Sequence, residues 1–133
     1  MKIISGIIIC MFILANNLVS QETGCISGLC EDGKGVYVYT NGYKYQGNFV
    51  DSKREGYGQL THPNGEKYDG MWANDNFHGQ GTYIWPNGSK YTGEWKNGVK
   101  DGYGIYFYSN GDKYAGYFRN EKFHGKGKYT WAD

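Results

Sequence analysis

Lys67 to Trp72 alternates polar and apolar positions one by one, and so does Gly79 to Trp85. Both runs are rich in Tyr, Trp, Thr and Ile, and a period of two in such residues predicts β-strands. No segment shows a helical period. Polar Asn74-Asp75-Asn76 separates the two runs, and Pro86-Asn87-Gly88 follows the second. Asn-Gly predicts a tight type I′ turn, in which both central residues take positive φ. The Asn74–Asn76 stretch is then the longer turn on the opposite edge. Pro63 and Pro86 sit at strand ends, where a missing N–H costs least.

This two-strand unit recurs every 23 residues. Tyr45, Tyr68, Tyr91 and Tyr114 open successive copies; Gly47, Gly70, Gly93 and Gly116 follow two residues later, and Phe49, Trp72, Trp95 and Phe118 two after those. G-x-G pairs come next, at Gly56/Gly58, Gly79/Gly81, Gly102/Gly104 and Gly125/Gly127. Asn64-Gly65, Asn87-Gly88 and Asn110-Gly111 lead on to Lys67, Lys90 and Lys113. Self-similarity at such a period means an array of identical supersecondary units. The expected fold is all-β: an elongated, single-layer antiparallel meander of tandem hairpins, with about eight or nine strands. About four copies occupy residues 43–133. Residues 21–42 are a degenerate capping copy, with Gly24, Gly33, Gly35 and Asn41-Gly42 one period before their counterparts, but Glu22 and Ile26 where aromatic residues are expected.

Alternation also sorts the side chains. Tyr68, Gly70 and Trp72 point to one face, Lys67 and Asp69 to the other, and Gly79, Gly81, Tyr83 and Trp85 share a face. Glycine inside a strand costs roughly 0.5–1 kcal/mol against alanine. Rings from one strand lying over the bare backbone of the next would offset that, since aromatic pairs add roughly 0.5–1.5 kcal/mol beyond burial.

The pattern Y-x-G-x-W followed by H/D/E-G-x-G resembles the MORN repeat (membrane occupation and recognition nexus), from Tyr45 to Asp133 and in the partial copy before it. The resemblance implies a twisted single-layer sheet that serves as an interaction module. Such arrays occur in scaffolds, in proteins joining membranes to other structures, and as appendages to enzymes. It also places the family's ring and glycine roles on Tyr68, Gly70, Trp72, Gly79, Gly81 and their period-shifted partners.

The N-terminus departs from an intracellular array. Lys2 and the apolar run Ile3–Ala15 make residues 1–20 read as a secretory signal. The run is shorter than the roughly 18–20 apolar residues of a membrane span, which favours cleavage over an uncleaved anchor. The expected location is therefore secreted, periplasmic or at the cell envelope. Cleavage takes Lys2 from the 14 basic residues against 13 acidic ones, leaving a formally neutral chain with no net field for nucleic acid. Cys25 and Cys30 remain and read as a disulfide clamping the first hairpin. A metal site is the alternative, and it lacks a second thiol pair or a nearby histidine.

Candidate chemistry is sparse. His78 and His124 share one repeat position with Glu55 and Asp101, which reads as a polar turn-end site. Carboxylates are spread along an open sheet, and no nucleophile–base or phosphate-loop motif appears, so no catalytic residue, metal or cofactor is expected. Lys44, Lys67, Lys90 and Lys113 form a row suited to glycans or lipid head groups, or simply to solubility. The aromatic face is either consumed in stacking or open to sugars. The reading is a non-enzymatic scaffold binding a protein partner or itself through an exposed sheet edge. Glycan or lipid-head-group binding is the alternative.

Overall fold

The computed structural model describes residues 22–133, so the segment read as a signal lies outside the described residues. All its strands belong to one sheet: β1 Gly24–Gly28, β2 Gly33–Val38, β3 Lys44–Val50, β4 Lys53–Thr61, β5 Lys67–Ala73, β6 Asn76–Ile84, β7 Lys90–Lys96, β8 Val99–Phe107, β9 Lys113–Arg119 and β10 Lys122–Thr130. Each pairs antiparallel with the next in sequence, a pure meander in a single layer. Ten strands rather than eight or nine arise because the degenerate first copy also folds into a hairpin.

A line of glycines crosses the whole sheet. Gly28, Gly35, Gly47, Gly58, Gly70, Gly81, Gly93, Gly104, Gly116 and Gly127 pair in succession, one per strand. The rings of Tyr45, Tyr68, Tyr91 and Tyr114 fold down on this spine. A Cβ built on Gly58, Gly81, Gly104 or Gly127 would lie 2.5 Å from the Cζ of the covering tyrosine. Each phenol then donates to the carbonyl three residues on: Asn48 at 2.9 Å, Met71 at 2.8 Å, Glu94 at 2.9 Å and Tyr117 at 3.2 Å. Trp72, Trp95 and Phe118 meet the tyrosine of their own copy and that of the preceding copy edge to face, with centroids 5.1–5.7 Å apart. The resulting ladder of eight rings, from Phe49 to Tyr114, is the core. The indole N–H of Trp72 and Trp95 adds a 3.1 Å bond to the spine carbonyls of Gly58 and Gly81.

The two kinds of turn are interchanged relative to expectation. Asp51-Ser52, Asn74-Asp75, Asn97-Gly98 and Asn120-Glu121 are the two-residue turns, with φ between +45° and +82° at all eight positions. Seven of these eight N–H groups are held by the preceding copy. Asp51, Asn74 and Asn120 donate to the carboxylates of Asp32, Glu55 and Asp101, and Ser52, Asp75, Gly98 and Glu121 to backbone carbonyls. The Asn-Gly sites make the longer connection instead. Gly65 N–H closes on His62 O at 3.0 Å, and in the Pro63-Asn64-Gly65 run only Gly65 is left-handed, φ +94°. Proline favours the second place of a type I turn, and a left-handed glycine completes the bulged loop. Asparagine serves there through its side chain: Asn64 Oδ1 accepts from Glu66 N–H at 2.9 Å.

The first hairpin also departs from its period-shifted image. Gly24, aligned by sequence with Gly47, pairs with Val38, and Gly28 takes the spine position opposite Gly35. The Cys25–Cys30 disulfide is formed. Cys30 Sγ lies on Gly35, 2.8 Å from where a Cβ would stand, so sulfur covers the spine where a tyrosine ring covers it elsewhere.

Trp95 packs on Tyr68, Phe77 and Tyr91 and bonds to Gly81, whereas Phe118 packs on Tyr91, Tyr114 and Phe123 with no polar bond. Trp95→Ala should therefore cost about 4–5 kcal/mol and Phe118→Ala about 3 kcal/mol. Denaturant unfolding reads both; equal losses would contradict coupling through the ladder.

Candidate interaction surfaces

The repeat aromatic and glycine residues sit in the core rather than on a ligand face. Tyr45, Tyr68 and Tyr91 are fully buried, and Phe49, Trp72, Trp95, Tyr114 and Phe118 retain 3–6% of their surface. Gly47, Gly70, Gly93 and Gly116 lie beneath the rings. Burial is the main reason that the phenols of Tyr45, Tyr68 and Tyr91 are held well above the ordinary tyrosine value. The structure thus sends these residues to stacking, and a sugar would have to find other rings.

The lysine row exists as a register line: Lys44, Thr61, Lys67, Ile84, Lys90, Phe107 and Lys113 pair in succession across the sheet. Alternation puts it on the face opposite the aromatic core. Lys67 Nζ is 3.5 Å from Asp69 Oδ2, and Lys90 Nζ stands 4.5 Å from the Phe107 ring centroid. Two of the four charges are thus engaged within the sheet, and Asp69 is held below the usual carboxylate range chiefly by the Tyr57 phenol. The same face displays Tyr57 beside Met71 and Tyr103 beside Tyr117, paired across strands and 41–57% exposed. The second pair is an edge-to-face contact at 5.4 Å.

Two cations that sequence reasoning passed over stand among the core rings. Arg54 places its guanidinium 4.2 Å from Trp72, with Nε on Asp75 Oδ1 at 3.0 Å and Nη2 on Asp75 O at 2.9 Å. Lys100 lies 5.3 Å from Trp85 and 5.8 Å from both Tyr91 and Tyr106, and pairs with Glu121. The alternate copies place Phe77 and Phe123 at that position, each stacked 3.9 Å from its tyrosine. The signal was a second period of two copies: Arg54, Phe77, Lys100, Phe123, next to Glu55, His78, Asp101, His124. The acids of that second series bind the next turn's N–H. Among the described residues no three His, Cys, Asp or Glu side chains gather as a metal site.

The family model described as MORN repeat matches residues 31–42, 45–67, 68–90, 91–113 and 114–133. The first of these segments includes β2, so the capping hairpin carries the family's pattern in its second strand only. No curated protein matches the chain.

Because burial raises the core phenols, folding favours their neutral form. Their stabilisation is complete below the unfolded value near 10 and is lost as pH rises beyond it. In an alkaline titration, the phenolate absorbance of Tyr68, isolated by difference against Tyr68→Phe, should appear only with loss of the strand circular-dichroism signal. Ionisation that precedes unfolding would contradict this.

Proposed function

The chain belongs to the MORN-repeat family, and on that footing we propose that it is a non-enzymatic scaffold, binding a protein partner or a second copy of itself at the cell envelope or outside the cell. MORN repeats commonly serve as interaction or scaffold modules and are generally non-catalytic. Export is supported by Lys2 with the apolar run Ile3–Ala15, and by a disulfide of the kind that persists in oxidising compartments.

The observation that carries this reading is the contrast between the two faces. One is spent on its own rings. The other exposes Tyr57, Met71, Tyr103 and Tyr117 on a β surface, and exposed apolar groups with polar surroundings favour protein contact. The lysine row favours a glycan or lipid surface less, because Lys67 and Lys90 are already engaged.

Co-pelleting of the mature chain with an envelope preparation tests the reading. Binding abolished by prior protease treatment of the preparation is the expected result. Binding that survives protease would replace the protein partner with glycan or lipid.

A further inference from the structure

Beside the glycine spine runs a row of tyrosines, and it is broken once. Across the strands the paired residues are Tyr37, Tyr45, Leu60, Tyr68, Tyr83, Tyr91, Tyr106, Tyr114 and Tyr129. Leu60 is the single aliphatic member. Its effect emerges from comparing the two cations. Lys100 is surrounded by Trp85, Tyr91 and Tyr106. Two copies earlier, Arg54 has Tyr39 at 5.8 Å and Tyr45 at 6.0 Å in the first two places, but Leu60 stands where Tyr106 would be.

A cleft of about 280 Å³ lies there, lined by Tyr39, Asn41, Tyr43, Arg54 and Leu60. A second, of about 420 Å³, adjoins it and shares Tyr39 and Arg54. These volumes are near the lower end of the roughly 300–1,000 Å³ typical of ligand clefts, enough for a ring and little more. Its lining is aromatic at Tyr39 and Tyr43, apolar at Leu60, polar at Asn41 and cationic at Arg54. Asp75 neutralises Arg54, so the cleft carries no surplus charge to hold an anion. The guanidinium is still complementary to the electron-rich face of an aromatic ring.

We infer that this cleft receives an aromatic side chain, phenol or indole, of a protein partner, in the place that Tyr106 fills beside Lys100. This rests on the protein-interaction reading and gives it an anchor. A ring entering a preformed aromatic pocket is the usual form of an interface hot spot. The sheet itself offers the parallel, since at the second cation site the protein's own Tyr106 stands 5.8 Å from Lys100.

A heteronuclear NMR titration of the full mature chain tests it, with N-acetyl-tyrosinamide and N-acetyl-tryptophanamide as probes. A saturated cyclohexylalanine analogue and a neutral glucose tetrasaccharide serve as comparisons. The aromatic probes should shift the signals of Tyr39, Tyr43, Arg54 and Leu60 with millimolar affinity, as befits a single ring, and the saturated analogue should bind at least about tenfold more weakly. Leu60→Tyr restores the repeat residue; it should keep or raise the melting temperature and abolish the shifts. Unperturbed signals in the wild type, equal binding by the saturated analogue or the saccharide, or undiminished shifts in Leu60→Tyr would each overturn the inference. The wild-type titration decides alone if Leu60→Tyr does not fold. None of these failures touches protease-sensitive envelope binding, whose loss would instead bring down the functional reading.

Discussion

A tyrosine ring resting its tip on a pair of glycines is the contact on which this sheet depends. A single layer has no second layer to bury against, so its apolar core must be made from its own side chains folded onto its own backbone. Only glycine leaves room for that, and the spine supplies one in every strand. Tyrosine suits the place better than phenylalanine because the ring tip ends at the backbone, where the hydroxyl satisfies the carbonyl three residues on. The next copy's Trp72, Trp95 or Phe118 then closes edge-on against that ring. Each copy is thus completed by its neighbour, as repeat arrays require.

The rest of the sheet accommodates this ladder. Tight turns with unfavourable φ at both residues are tied to the preceding copy by carboxylates and carbonyls. Cations take alternate places beside the rings, where burial of an unpaired charge would be costly, and each has an acid from the following turn. At the first hairpin, whose first strand Gly24–Gly28 has no tyrosine, the Cys30 sulfur covers the spine. One face is thereby spent on stability, which leaves function to the opposite face and to interruptions such as Leu60.

Much of this was legible in the chain because the 23-residue period fixes several positions at once. Alternation in Lys67–Trp72 and Gly79–Trp85 gave the strands and their faces, and the G-x-G and Y-x-G spacings anticipated rings over bare backbone. The turns were misread for a definite reason: Asn-Gly serves both type I′ turns and bulged loops, and Pro63 and Pro86 tip the choice toward the second. The slip that puts Gly28 rather than Gly24 in the spine is a matter of pairing, which a shift of letters does not show. Arg54 and Lys100 were missed because their alternation with Phe77 and Phe123 spans two copies. Leu60 looks conservative in sequence. Only the row of paired tyrosines reveals it as a gap.

The most direct test of the central contact is the unfolding free energy of Gly81→Ala beside that of Gly125→Ala. Gly81 lies under the ring of Tyr68, and its φ is outside the left-handed region. On backbone propensity alone, alanine there would be neutral or stabilising by roughly 0.5–1 kcal/mol. Gly125 has φ +62° and nothing within 4 Å of an added Cβ, so alanine there should cost only about 1 kcal/mol. A loss of about 3 kcal/mol or more for Gly81→Ala, well beyond that for Gly125→Ala, is the predicted result. A Gly81→Ala protein as stable as the wild type would mean that the ring does not rest on the glycine spine.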